Sequence, residues 1–147
     1  MLMNQAGLRV GEVVSIEVGD ITIKERVGEI TVRNGKGSKE RIVHLNSVTK
    51  EAVANWLEVN SFSATDSLFE GRTERSVQRD VDEVFAQICI SDGTCHWLRY
   101  DLAKRLERAG KPIELIRDVL GHATIEQTRR YLRSSSEDIQ SALEEVM

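Results

Sequence analysis

The sequence predicts an α+β fold, mostly helical, with a small three-stranded antiparallel sheet near the N-terminus. Three observations carry this. Apolar residues alternate with period two only between Asp20 and Leu45. The run Asn34-Gly35-Lys36-Gly37-Ser38-Lys39 breaks that stretch with turn-forming residues. Beyond Asn46 the apolar residues recur at helical spacing. With 147 residues and 40% hydrophobic content, the chain suits one globular core. No apolar run approaches the roughly 20 residues that span a bilayer, so no membrane partner is expected.

Taken in order, Met1 to Ala6 reads as the last turns of a helix, and a second short helix begins near Val10 and ends by Val18. Ile21 and Ile23, then Ile30 and Val32, flank Glu25-Arg26-Val27-Gly28 as a hairpin, and Arg41 to Leu45 supplies the third strand. Asn46 or Ser47 caps a helix reaching Val59, with Val48, Val53, Ala54 and Leu57 as its buried stripe. Ser61 to Thr73 is a loop. Val77, Val81, Val84, Phe85 and Ile88 mark the apolar face of the next helix. Leu98 to Ala109 is a helix ended by Gly110, Pro112 sits where a helix's first position would be, and Ile113 to Leu120 is a helix stopped by Gly121. Ile125 to Leu132 is another short helix. Ile139, Ala142, Leu143 and Val146, spaced i, i+3, i+4, i+7, give an amphipathic tail helix led by Ser136.

The net charge of −4 is unevenly spread. The tail beyond Arg133 holds Glu137, Asp138, Glu144 and Glu145 with no base, so residues 1–133 sum to zero. Lys24 to Arg41 carries six basic and three acidic residues, and so does Arg99 to Arg117. Local surplus of this kind, more than the total, decides whether a face can hold phosphate. Cys89 and Cys95 read as reduced thiols of a cytosolic protein. With His96 and His122 they lack the paired spacing of a zinc site, and no metal is expected. Trp56 and Trp97 read as packing residues.

The last third holds H-W-L-R (His96, Arg99) and L-G-H-A-T-I-E-Q-T-R-R-Y (His122, Tyr131). Attack on a phosphodiester by a protein nucleophile needs the nucleophile, cations on the non-bridging oxygens, a group to manage the nucleophile's proton and an acid for the leaving alkoxide. Tyr131 suits the first and Arg99 the second, since a guanidinium fork matches phosphate. Upstream, Gly7-Leu8-Arg9-Val10-Gly11-Glu12 supplies a second arginine, with a carboxylate three residues on to orient it. Lys36 stands between glycines, where an ammonium could reach a leaving oxygen.

These residues, in this order, resemble the catalytic domain of the tyrosine recombinase (phage integrase) family, Xer-like in detail. The family pattern is G-L-R-x-x-E, G-K-G-x-K-x-R, H-x-x-R, L-G-H and a tyrosine nine residues later. Here these are Arg9 with Glu12, Lys36 in G-K-G-S-K-E-R, His96 with Arg99, His122, and Tyr131. The resemblance covers Gly7 to Tyr131. It implies site-specific DNA recombination, integration or excision, through a 3′-phosphotyrosine on Tyr131. Arg9 and Arg99 would clamp the phosphate, His96 would serve in acid–base catalysis, His122 would bond the phosphate, and Lys36 would protonate the leaving 5′-oxygen. Lys39 and Arg41 would contact DNA, and neither metal nor nucleotide cofactor is implied.

The resemblance further implies a catalytic domain over residues 1–133. Residues 134–147 would form a C-terminal helix that docks on a neighbouring protomer in a tetrameric synapse on double-stranded DNA. The location implied is cytoplasmic, at the nucleoid. A family member carries a DNA-clamping domain ahead of the catalytic one, so a chain reaching Gly7 this early is expected to be N-terminally truncated. The residue after Arg99, usually histidine in the family, is Tyr100. Two other readings stand beside this one. Ile113 to Leu132 also mimics a helix-turn-helix, as in a non-catalytic DNA-binding or regulatory module. A truncated recombinase remnant without activity would keep the same residues.

Overall fold

The computed structural model describes residues 1–33, 40–91, 93–132 and 144. The order of elements is α1 (Leu2–Ala6), α2 (Val10–Val14), a 3₁₀ turn (Val18–Asp20), β1 (Ile21–Ile23), β2 (Gly28–Val32), β3 (Arg41–His44), α3 (Ser47–Val59), α4 (Glu74–Gln87), α5 (Cys95–Arg108), α6 (Ile113–Leu120) and α7 (Ile125–Tyr131). The three strands form one antiparallel sheet in chain order. The α+β expectation therefore holds. The glycine-rich turn at 34–39 and the amphipathic tail helix lie outside the described residues, apart from Glu144.

Alternation decides which face of the sheet is covered. Ile21 pairs with Ile30 and Ile30 with Val43, so the three side chains share one face. Ile30, Val32 and Val43 are buried there against Leu8, Val13, Ile16, Val53 and Leu68. A second cluster, Leu102, Ala103, Ile116 and Leu120, joins α5 to α6 and α7. Gly7 lies where the two meet. It ends α1 with φ 69°, and a Cβ there would stand 3.2 Å from both Leu102 Cδ2 and the Val119 carbonyl. Asn4 Nδ2 donates to Asp101 at 3.0 Å, and Arg105 donates to the Asn4 carbonyl at 2.5 Å, pinning α1 along α5.

Several boundaries differ from the sequence expectation, each for a local reason. α2 stops at Val14, inside the limit of Val18. Beyond it the Val18 N–H donates to Asp66 O and the Leu68 N–H to Ile16 O, both at 2.9 Å, so pairing with the following loop pulls Ile16 to Val18 out of the helix. α5 begins at Cys95 because Thr94 Oγ1 accepts from the Trp97 N–H at 3.3 Å as an N-cap. α6 has the expected bounds, Ile113–Leu120, with Pro112 as its N-cap in place of its first helical residue. In α3, capped by Asn46 Oδ1 on the Thr49 N–H, Thr49 and Val53 face inward, while Val48 is 58% exposed. In α4 the inward line is Val77, Val81 and Phe85, and Val84 and Ile88 face out. The indoles pack: Trp97 meets Phe85 edge-on at 5.7 Å, and Trp56 Nε1 donates to Leu68 O at 3.2 Å.

One polar clamp joins α2 to the sheet. Arg41 Nη1 and Nη2 donate to the two Glu12 oxygens at 2.6 and 2.9 Å. Burial alone would raise the Glu12 carboxyl, but bonds from Arg41 and the Arg9 N–H, with both positive charges, outweigh it and hold it at about 2, against an ordinary 4.5. Between those values the unfolded chain binds the extra proton, so the stabilisation is complete above the ordinary value and fades as pH falls toward 2. Its upper size is about 3 kcal/mol. Urea unfolding should show Glu12→Gln to be less stable than the parent near pH 7, with the gap closing between about pH 5 and pH 2. A constant gap across that window would assign the acid sensitivity elsewhere.

Candidate active site

The site assembles where helix ends meet. Arg9 is the N-cap residue of α2, in extended conformation, with its N–H on Glu12 Oε2 at 2.7 Å and Nη1 on Glu12 Oε1 at 2.9 Å. Its Nη2 crosses to the Gly121 carbonyl at 2.7 Å. Arg99, one turn into α5, is only 4% exposed. Its Nη1 donates to the Gly7 carbonyl and its Nη2 to the Leu120 carbonyl, the latter at 2.9 Å. Both acceptors belong to helix C-termini, whose last carbonyls have no partner within the helix. Burial, then the neighbouring Arg9, lowers the Arg99 guanidinium to about 10, so it remains charged at neutral pH.

His122 follows Gly121, which ends α6 in the left-handed region at φ 62°. Its Nε2 faces Arg99 Nη2 at 3.4 Å and its Nδ1 lies 2.9 Å from Thr128 Oγ1. Burial, then the positive charges of Arg99 and Arg9, pushes His122 down to about 4, leaving the ring neutral at pH 7. His96, in the first turn of α5, is exposed. Its Nδ1 stands 3.3 Å from the Tyr131 hydroxyl. Tyr131 closes α7 and is surrounded by rings: His96 at 5.1 Å, His122 stacked at 5.2 Å, and Tyr100 edge-on at 5.9 Å. Arg9, His96, His122, Gln127, Arg130 and Tyr131 line one open cleft.

Arg9, Glu12, His96, Arg99, His122 and Tyr131, over a hundred residues apart at the extremes, thus converge. Lys36 and Lys39 lie outside the described residues. Arg41, expected on the DNA face, has both terminal nitrogens on Glu12 and a side chain 18% exposed. Sequence reasoning missed three contributors. Thr128 is fully buried in a short helix otherwise rich in charge, and that polar burial shows only in the structure. Gln127 and Arg130 line the cleft because α7 turns them beside Tyr131, a consequence of helical spacing that the sequence did offer. Cys89 is exposed and Cys95 buried, and among the described residues no group of three His, Cys, Asp or Glu could hold a metal ion.

With three guanidinium groups around one carboxylate, the cluster carries surplus positive charge beside a phenol. Comparison with known proteins agrees with that chemistry. The model of the phage integrase family matches residues 1–138. The tyrosine recombinase XerC of Vibrio cholerae serotype O1 is 35% identical over 139 residues, 88% of this chain and 44% of its own length. The tyrosine recombinase XerA of Thermococcus kodakarensis is 29% identical over 152 residues, 99% of this chain and 53% of its own. The chain spans about half the length of the curated relatives it matches. A crystal structure of XerA recombinase superposes with TM-score 0.84 at 26% identity, covering 98% of this chain and 54% of that one. The fold also matches XerH site-specific recombinase in its post-cleavage complex with a palindromic difH substrate, with TM-score 0.79 at 23% identity over 97% of this chain and 42% of that one. With the family pattern matched from Met1 to Asp138, this chain belongs to the phage integrase family.

Proposed function

We propose that the chain is the catalytic part of a tyrosine-type site-specific recombinase, which cleaves and rejoins double-stranded DNA through a 3′-phosphotyrosine. The observation that carries this is the gathering of Arg9, Arg99, His96 and His122 around the Tyr131 phenol. The Tyr131 oxygen attacks phosphorus, and its proton passes to His96 Nδ1, which lies 3.3 Å away. Arg9 and Arg99 hold the non-bridging oxygens as charge builds on them. The bond from phosphorus to the 5′-oxygen breaks, and that oxygen takes a proton from Lys36. A 5′-hydroxyl of the partner strand reverses the steps, so the phosphodiester energy is kept in the protein–DNA link. The tail from 134 onward docks on a neighbouring copy in a tetrameric synapse, and the work is done in the cytoplasm at the nucleoid. A helix-turn-helix role for α6 and α7 would leave the gathering of Arg9, Arg99 and His96 unexplained.

His122 needs a particular tautomer for its part. A guanidinium offers only N–H groups, so the Nε2 facing Arg99 carries the lone pair and Nδ1–H donates to Thr128 Oγ1. When a phosphate oxygen displaces Nε2 as a partner of Arg99 Nη2, the ring gives its Nδ1 proton to solvent and takes one at Nε2, which donates to the phosphate while the Thr128 hydroxyl rotates to donate to Nδ1. A hydroxyl serves both arrangements, because it can donate or accept.

Two outcomes are expected. The parent, given a nicked suicide duplex carrying its recombination site, forms a denaturant-resistant covalent band that Tyr131→Phe does not form; a band surviving in that variant would remove Tyr131 as nucleophile. Thr128→Val, equal in shape but without the hydroxyl, slows single-turnover cleavage by at least about tenfold, and Thr128→Ser restores most of it. Equal rates for the Val and Ser variants would show that the hydroxyl has no part.

A further inference from the structure

Arg41 opens β3, yet its guanidinium lies against two of the segments that carry active-site groups. Its terminal nitrogens take both oxygens of Glu12, and the same oxygens accept from Arg9 Nη1 and the Arg9 N–H. Four N–H bonds fill the acceptor sites of one carboxylate. Glu12 is therefore held from two sides, and it fixes one edge of the Arg9 guanidinium. The other edge is fixed by the Gly121 carbonyl. Gly121 in turn faces Arg41: a Cβ at that position would stand 2.6 Å from Arg41 Cζ. This is no floppy chain end that could step aside, because Glu12 pins it. Arg41 thus occupies the space of the missing side chain at 121, immediately before His122. It also anchors the backbone five residues beyond Lys36 in sequence.

We propose that Arg41 is a positioning residue for strand cleavage: by clamping Glu12 and filling the gap at Gly121 it fixes the Arg9 guanidinium for the scissile phosphate, without touching DNA itself. The proposal rests on the cleavage reading above. The Arg41 side chain is 18% exposed and grips Glu12 with one bond to each oxygen, so turning that paired fork onto a phosphate would break both bonds. That would leave Glu12, 8% exposed, short of two of its four bonds. Lysine cannot replace it, since one ammonium does not span both oxygens of a carboxylate.

The test uses the full chain with Arg41→Gln, Arg41→Lys, Arg9→Lys and the Arg9→Lys/Arg41→Gln double variant, each first shown to unfold cooperatively. At saturating suicide duplex, Arg41→Gln should cleave on the order of tenfold to a hundredfold more slowly, with Arg41→Lys only partly better. The salt dependence of duplex affinity should stay that of the parent, and the losses from Arg9→Lys and Arg41→Gln should be strongly non-additive. Unaltered cleavage at saturating DNA overturns the proposal, as do additive losses. A salt slope lower by about one would place Arg41 on a phosphate and overturn it too. Should the parent form no covalent product, the cleavage reading fails by itself, and guanidinium ¹⁵N NMR of Arg9 decides the positioning claim. Rotation restricted in the parent and released in Arg41→Gln supports the claim, and equal restriction in both overturns it. If Arg41→Gln does not fold, Arg41→Lys carries each comparison.

Discussion

The buried Arg99 is the constraint around which the rest of the molecule is arranged. A guanidinium that is 4% exposed must find acceptors for its N–H groups, and it finds them in the Gly7 and Leu120 carbonyls. Those carbonyls end α1 and α6, so one side chain from α5 draws three helices to a point. Neither turn is free to move away, because each would take a partner from a buried cation and leave a buried carbonyl unbonded. Arg9 stands two residues beyond Gly7, and His122 two residues beyond Leu120. The positions of both active-site groups are thus consequences of satisfying Arg99.

Charge is arranged with equal economy. Arg9, Arg41 and Arg99 stand around Glu12, and the mutual repulsion is legible in the neighbours: Arg99 and His122 both titrate below their ordinary values, burial being the first cause and neighbouring cations the next. An anion placed among them relieves that repulsion. The field that makes a second proton on His122 costly is the field that would stabilise charge on a pentacoordinate phosphorus. The net charge of −4 conceals this, since charge matters locally at a Debye length of about 8 Å.

Much of this was written in the sequence because glycine and histidine mark turns and sites by position. The order of elements, the three strands and the set Arg9, Glu12, His96, Arg99, His122 and Tyr131 were all legible, and the structure brings the described members of the set together. What was not legible depends on contacts between segments far apart. Nothing near Val14 announces the end of α2; the loop that pairs with Ile16 and Val18 is some fifty residues later. Val48, Val84 and Ile88 are apolar and correctly spaced, yet all three are exposed, because which line of a helix is buried depends on what packs against it and not on spacing alone. Arg41 sits in a basic run, which suggests a polyanion, and only the fold shows that a carboxylate from another segment claims it. Thr128 carries no sequence signal at all beyond its place three residues before Tyr131.

The ring packing around Tyr131 has one more consequence. His96, Tyr100 and His122, which enclose the phenol, and Arg9 and Arg99, which lie beside it, all belong to the same chain as the tyrosine. The described groups of that cluster come from four different helix ends of the one chain. Of these groups the phenol alone rides on α7, whereas Arg9 caps α2 and Arg99 lies in α5, so a shift of α7 would move the phenol against those two cations. The place of the phenol and the places of those two guanidinium groups are thus set by different parts of the chain, the first by one seven-residue helix and the second by the joints between the others.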